Sequence, residues 1–536
     1  MESLLVLAPV AVPGAAACLY AVLGWNRVTA WLGTLSAAGL LACAVALSAA
    51  SSTASSAASS AGSSTGSFTG SFTAGPGEAF GGLLFADALS AFMLIVIGVV
   101  ALLAMAASPA YLAAELAAGH TDPHAMRRYG VLTQAFIAAM ALAVLASGLG
   151  LLWVAIEATT IVTAFLVGHR RTRAATEAAW KYVVICSVGI ALALLGIVMV
   201  HYAGTHAGVT SLDWAPLAEG ASRLDPGVMH VAVMLLVLGF GTKAGLAPMH
   251  AWLPDAHSQA PAPVSALMSG VLLSVAFYAI LRVKVIADVA LGAGFTRTLL
   301  IVVALASLTV AALLLLGQRD YKRLLAYSSI EHMGLLALGA AIGTSLALVA
   351  VLLHILGHGL GKSVLFLSAG RLHQTYGSSL IGAVRGLAGR APLLAGTFAL
   401  GLLALLGMPP FSLFASELGL ARAGFAAGLG WPVAAALVLM LVIVAAVTRH
   451  TRRMLLGDGP GIRPGDGPDA GPVPPDGAGG APADGPGAAA GGVVTLPRSL
   501  AVPLVAGLAA CAVLGLTLGP LHSLLRAAAM IAGATP

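Results

Sequence analysis

The sequence predicts an all-α polytopic membrane protein of about fourteen transmembrane helices, with two inverted five-helix repeats that contain broken helices. Three observations predict it. The chain is 59% hydrophobic and only 9% charged, whereas a soluble domain carries about 25% charged residues. Apolar runs of the roughly 20 residues needed to span a bilayer recur along its whole length. Ionisable residues and proline breaks inside those runs repeat at a fixed offset. Helices follow from the first two, because unpaired backbone in lipid is too costly for anything but helices or closed barrels.

The candidate spans lie near 3–24, 29–50, 85–107, 129–148, 150–168, 178–202, 228–249, 263–286, 297–317, 322–342, 345–371, 393–418, 430–450 and 498–520. The first is apolar from Ser3 and preceded by Glu2 with no basic residue, so it reads as a membrane helix and not as a cleaved signal peptide. Residues 51–78 are Ser, Ala, Gly and Thr, and 457–493 are Gly, Pro, Ala and Asp. Both read as flexible loops. The expected division is a three-helix segment (1–110) with an external Ser/Ala-rich loop, a first five-helix repeat (111–290), a second (291–455), a disordered loop (456–497), and a last helix with its tail (498–536).

Charge tests this count. The net charge is +6, which on a membrane protein reflects basic cytoplasmic loops and not a nucleic-acid partner. With the loop holding Arg27 placed in the cytoplasm, alternate loops hold Arg127 and Arg128; Arg170, Arg171, Arg173 and Lys181; Arg319, Lys322 and Arg323; Arg371, Arg385 and Arg390; and Arg449, Arg452, Arg453, Arg463 and Arg498. That is 18 of the 26 basic residues. Six, Arg282 and Lys284 among them, fall on the other side, and Lys243 and Lys362 lie within the membrane. The asymmetry predicts both termini outside.

The four cysteines, Cys18, Cys43, Cys186 and Cys511, lie singly in apolar runs. They read as packing residues and not as cluster or zinc ligands. No cofactor motif is visible. "LGHGLGKS" approaches a phosphate-binding loop, but Leu356 stands where that loop needs glycine, and an apolar helix precedes it. No cofactor is therefore expected in this chain.

Charges inside spanning helices are costly and by default mark ion or proton pathways. This chain places Glu157 in "LLWVAIEATTIVTAF", Lys243 in "LGFGTKAGLAPMH", Glu331 and His332 in "AYSSIEHMG", His354, His358 and Lys362 in "HILGHGLGKSVLFL", and Glu417 in "GMPPFSLFASE". A single buried polar residue is commonly only a packing device; eight on five helices need another account. Carboxylate, ammonium and imidazole all exchange protons near neutrality when buried. His354, His358 and Lys362 follow one another at single helical turns, on one face. A metal site is the rival reading of the two histidines, which have no acidic partner in their own motif.

Spacing exposes the repeat. Glu157 and Glu331 are 174 residues apart, as are Lys243 and Glu417, and each of the latter two lies beside a proline break, at Pro248 and at Pro409–Pro410. Five helices separate equivalent points, so the second copy is inverted. Interrupted helices at matching places in inverted halves point to an ion site near the midplane.

On "GTKAGLAPMHAWLPDAHSQAPAPVSALMSGVLL", "AYSSIEHMG", "HILGHGLGKSVLFL" and "GMPPFSLFASE", the chain resembles the antiporter-like membrane subunits of complex I, of Mrp cation/proton antiporters and of membrane-bound group 4 nickel–iron hydrogenases. The resemblance covers roughly residues 80–455 and is strongest to the component F type of hydrogenase-4 and formate hydrogenlyase, through Glu331–His332. It implies fourteen helices with two inverted repeats. It implies that Glu157 and Lys243 are the paired carboxylate and lysine of one half-channel, that His332, His354, His358 and Lys362 form the central axis, and that Glu417 ends the second half. The chain ends soon after its last predicted span, so the long lateral helix of the largest complex I member is expected to be missing. Many complex I members carry a lysine near Ser274, which serine cannot replace as a charge.

The function this resemblance implies is proton translocation by a non-redox membrane subunit of an oxidoreductase. The Glu157 carboxylate would hold Lys243 as ammonium, and movement of a nearby charge would open the pair and release the proton along the histidines toward Glu417. The expected partners are other membrane subunits, a soluble redox arm reached through them, protons and the lipid of a bacterial cell membrane. An Mrp-type Na+/H+ antiporter subunit and an energising subunit for bicarbonate uptake are alternatives. A self-contained quinone-reducing enzyme is disfavoured by the missing cofactor motifs.

Overall fold

The computed structural model describes residues 2–60, 77–456, 496–519 and 521–535. Residues 457–495 of the expected Gly/Pro/Asp-rich loop and 61–76 of the Ser/Ala-rich segment lie outside the described residues. The first ten residues of that segment are helical and not loop: after α1 (Glu2–Leu23), α2 (Leu32–Ser60) runs on through them. Alanine is the best helix former and serine only moderately worse, so the helix outlasts its apolar stretch.

A two-stranded antiparallel hairpin, β1 (Gly77–Ala79) and β2 (Leu84–Ala86), pairs Glu78 with Phe85 and leads into α3 (Ala88–Ala117). Next come α4 (Pro123–Leu145), α5 (Leu149–Val167), α6 (Arg173–His206), the short α7 (Trp214–Gly220), α8 (Pro226–Ala244) and α9 (Trp252–Gln259). α10 (Ala262–Leu291) contains a π turn at Met268–Leu272. The second half holds α11 (Ala293–Leu316), α12 (Tyr321–Ile342), α13 (Ser345–Tyr376), one-turn α14 (Leu387–Arg390), α15 (Pro392–Leu405), α16 (Ser412–Ala426) and α17 (Gly430–Leu456). α18 (Arg498–Leu516) and α19 (Leu521–Ile531) follow. The segment expected as a tail is thus a helix. Its far end is tied down, since Thr535 exchanges backbone hydrogen bonds with Gly343 and Ser345.

Among the described residues, 13 helices are long and apolar enough to cross a membrane. The fourteenth expected span, 393–418, is split into α15 and α16, and the expected 228–249 stops at Ala244 and resumes as α9. Helix starts follow capping chemistry. Asp87, Asp122, Asp225 and Asp320 each accept a hydrogen bond from a first-turn backbone N–H, and Thr172 and Thr344 do the same for α6 and α13. Such caps satisfy donors that lipid could not.

The centre of the bundle is α3, α10, α12 and α13. The most apolar stretch of α10 is entirely buried, and those of α12 and α13 are 94% buried. These are also the helices that carry most of the polar residues, so the polar groups are shielded from lipid. α10 and α13 touch backbone to backbone: a Cβ on Gly270 would lie 3.1 Å from the Gly359 oxygen, and one on Gly359 would lie 3.0 Å from the Gly270 oxygen. Small residues permit such close approach in membranes.

One placement differs from the sequence reading. Arg282, counted above with the charges of the outer side at the end of the span 263–286, sits inside α10 and is 1% exposed. Its guanidinium lies 2.6 Å from Asp87 Oδ2 and also donates to Tyr278 and Ser90. The neighbouring Lys284 is likewise buried and pairs with Asp288 at 2.5 Å. Both pairs neutralise the cost of the buried charge.

The basic loops share one face. Arg170, Lys181, Arg323 and His373 line a single polar hollow of about 320 Å³ with Asp255 and Asp320. Arg319, Arg385, Arg449 and Arg453 line a larger one of about 810 Å³. The loops grouped by alternation in the sequence are therefore neighbours in space. A buried lock joins them: Arg170 reaches both oxygens of Glu115, at 2.9 and 2.8 Å, and its other nitrogen contacts His373.

Candidate functional site

α8 ends at Gly245, whose backbone is left-handed at φ 77°. A side chain there would be strained, and its Cβ would lie 2.5 Å from Leu253 Cδ1, so glycine is required. The break is closed by Trp252, whose indole N–H donates to the Thr242 oxygen at 2.9 Å. This leaves Lys243 in the last turn of α8, fully buried. Its ammonium donates to Thr160 Oγ1 at 2.8 Å and to Tyr182 OH at 2.5 Å, and it stands 4.8 Å from the Tyr182 ring centre. Tyr182 is in turn packed edge-on against Trp252.

The expected direct pair of Lys243 with Glu157 is not formed. Among the described residues no ion pair within 4.0 Å includes Lys243. Glu157 lies one turn before Thr160 on α5, and its Oε2 is buried without a hydrogen-bond partner. A hydroxyl from α5 and a phenol from α6 solvate the ammonium in its place.

The second half gathers its residues more closely. His332 Nδ1 and His354 Nε2 are 2.9 Å apart, and His354 Nδ1 is 2.9 Å from Ser416 Oγ. Ser416 donates to the Leu413 oxygen at 2.8 Å. Its oxygen then accepts from His354 Nδ1–H, which leaves His354 Nε2 as an acceptor and His332 Nδ1 as the donor. His332 Nε2 faces no partner. His358, one turn along α13, lies tilted against His332 with ring centres 5.0 Å apart, and neither of its nitrogens is bonded. One turn further, Lys362 donates to the Leu325 oxygen at 2.6 Å and to Ser328 Oγ at 2.5 Å. Glu331 is buried on α12, three residues from Ser328. The spacing of 354, 358 and 362 thus does produce one continuous face.

Glu417 is carried by α16, after the second break. Its carboxylate lies over Gly407, where a Cβ would come within 2.0 Å of Oε2, and that glycine is left-handed at φ 61°. Ligand atoms of His332, His354 and Glu417 lie within 4.8 Å of one another. The acidic partner missing from the histidine motif therefore comes from another helix. By distance these three could surround a metal ion. Both nitrogens of His354 are already engaged, however, so an ion would have to break the histidine–histidine bond or the bond to Ser416.

Sequence reasoning missed several residues of this constellation. Thr160, Tyr182, Ser328 and Ser416 are ordinary helix residues that became partners only through contacts 34 to 83 residues away in sequence. His257 carried a signal, being a histidine in the proline-flanked "PDAHSQAP". It is fully buried on α9, both ring nitrogens lack a hydrogen bond, and it stacks at 4.9 Å on Phe366 from α13. Ser274, where a lysine is absent, is buried on α10 with its hydroxyl unbonded, while Ser269 in the π turn bonds Ser329 of α12 at 2.7 Å.

Residues 146–443 match the family described as NADH:quinone oxidoreductase/Mrp antiporter, transmembrane. The chain is 38% identical over 349 residues to a hydrogenase-4 component F homolog of Methylacidiphilum infernorum, covering 65% of this chain and 73% of that one. It is 35% identical over 298 residues to NADH-quinone oxidoreductase subunit N of Desulforudis audaxviator, where it spans 58% of the relative and 55% of itself. In three dimensions it superposes on a chain of the Mrp complex from Dietzia sp. with TM-score 0.77, at 25% identity, covering 99% of this chain and 97% of that one.

Proposed function

Because the chain belongs to the NADH:quinone oxidoreductase/Mrp antiporter transmembrane family, and is an antiporter-like multi-pass membrane subunit, we propose that it translocates protons for a multisubunit membrane oxidoreductase without a redox centre of its own. The observation that carries this reading is the bonded run His332–His354–Ser416 beside Glu417, continued through His358 to Lys362.

The chemistry is a relay. A proton arriving at His332 Nε2 makes that ring an imidazolium. Its Nδ1 proton passes to His354 Nε2, and the Nδ1 proton of His354 is released toward Ser416 and Glu417. Each ring gains one proton and loses one, and the hydrogen-bond polarity reverses until the rings reset. Lys362 donates at the other end of the same face. Lys243 plays the matching part in the first half, where Thr160 and Tyr182 accept hydrogen bonds from its ammonium. Glu157, one turn from Thr160, acts on Lys243 as a charge at one remove. The polar hollow on the basic face reaches Ser258 and Gln259 of α9, next to His257, and supports entry from that side. On this reading, positive-inside asymmetry supports a cytoplasmic position for that face in a bacterial cell, with both termini outside.

Likeness to the Mrp complex chain favours a second reading, a Na+/H+ antiporter subunit, and an energising role in bicarbonate uptake would use the same relay. Purification of the tagged chain from native membrane in mild detergent, with mass spectrometry of what accompanies it, separates them. A hydrogenase or quinone-oxidoreductase arm is expected. Recovery of small membrane subunits alone, with sodium-dependent transport, would overturn the redox-linked reading.

A further inference from the structure

A large cavity lies away from the relay. It has a volume of about 810 Å³ on the basic face, between the ends of α11 and α17 and the loop that follows α13. Four arginines line it, Arg319, Arg385, Arg449 and Arg453, and no acidic residue does. All four are exposed, and among the described residues none has a carboxylate within 4.0 Å. The arginines of the smaller hollow are different: Arg170 is held by Glu115 and Arg323 by Asp255. Four guanidinium groups around one hollow, uncompensated among the described residues, form a strong anion field, and their fork geometry suits phosphate oxygens.

The hollow is also two-sided in polarity. Leu316, at the end of α11, is 48% exposed on its wall. On α17 itself, Leu437, Val438 and Leu441 are exposed apolar residues two to four turns before Arg449 and Arg453. His450 pins the two helices together by bonding the Leu315 oxygen at 3.2 Å, so the hollow is held open by packing and not by chance side-chain positions. Charged walls at the level where spans end, with an apolar flank below, match the headgroup and first acyl carbons of a lipid.

We infer that the four-arginine hollow between α11 and α17 binds the phosphate headgroup of an anionic phospholipid of the adjoining leaflet. The site lies apart from the proton relay. It holds lipid at the edge of the second half, where α17 packs on α11.

The test uses the complex as purified, stripped of lipid in detergent and titrated with phosphatidylglycerol, with phosphatidylcholine of the same chains, and with inorganic phosphate, read by native mass spectrometry. Phosphatidylglycerol is expected to bind saturably and phosphatidylcholine not. Each of Arg319→Gln, Arg385→Gln, Arg449→Gln and Arg453→Gln is expected to weaken binding about fivefold. Arg452→Gln removes the same charge from the same helix end outside the hollow and should change nothing. Arg449→Lys keeps the charge but loses the fork, so it should bind more weakly than the unsubstituted chain and more tightly than Arg449→Gln, which separates lost charge from lost folding. Binding of phosphatidylglycerol that is indifferent to all four substitutions would overturn the proposal. So would inorganic phosphate displacing the lipid at equal concentration, which would make the hollow a free-anion site. Loss of a protein neighbour in the variants with lipid binding unchanged would assign the surface to an acidic protein segment.

Discussion

His332 and His354 share a single hydrogen bond of 2.9 Å, and the remaining nitrogen of His354 is taken by Ser416. The two rings come from α12 and α13, 22 residues apart in sequence, and meet in the most buried part of the bundle. A histidine pair with one end open and the other tied to a hydroxyl is polarised, and a proton entering the open end can leave only at the tied one.

His354→Gln keeps a side chain that can bond both neighbours but carries no exchangeable ring proton. Proton movement driven by the complex is expected to fall by about a hundredfold, the usual range for a lost proton-transfer group, with subunit assembly unchanged. Fluorescence quenching of a pH dye in proteoliposomes, beside the yield of intact complex, checks this.

Tyr182→Phe tests what holds Lys243. The ammonium would keep Thr160 and lose a hydrogen bond to a charged group, about 1.5–3 kcal/mol. If Tyr182 and Thr160 are the immediate partners, this variant should impair transport at least as much as Glu157→Gln. Proton transport rates of the two variants, measured side by side, decide it.

Gly407→Ala should act on Glu417. The left-handed backbone costs alanine about 1–2 kcal/mol, and the added Cβ would occupy the place of the carboxylate. Transport is expected to drop toward the level of Glu417→Gln, with only a small change in melting temperature. A variant that transports normally would show that Glu417 need not sit against the break.

Arg282→Ala should damage folding and not chemistry. It strands Asp87 in a fully buried place, for about 3–5 kcal/mol. Detergent-solubilised protein should melt earlier and express poorly, and Asp87→Asn combined with Arg282→Gln should recover part of the loss.

Much of this architecture is legible in the sequence, for identifiable reasons. Lipid forces each span to be a run of apolar residues, so spans announce themselves. A charge inside such a run needs a reason, so Lys243, His354, His358 and Lys362 stand out. Prolines at 248, 409 and 410 lie at both breaks and mark them, although Pro9, Pro13, Pro109 and Pro503 sit inside helices. What stayed hidden depends on which helices meet. Nothing near Lys243 in sequence says that Thr160 and Tyr182 will face it, or that Glu157 will stop one turn short. That Arg282 is a buried, paired charge stayed hidden because its partner, Asp87, lies 195 residues away. The helix α19 looked like a tail because eleven residues are too few to span a membrane.

On the proposed mechanism, the Lys243 ammonium is there to be charged and discharged. The most direct test of this is the ratio of protons moved to substrate turned over in proteoliposomes of the intact complex carrying Lys243→Ala. The complex is expected to assemble, and proton movement linked to turnover to be lost. Assembly with an unchanged proton ratio would contradict the mechanism.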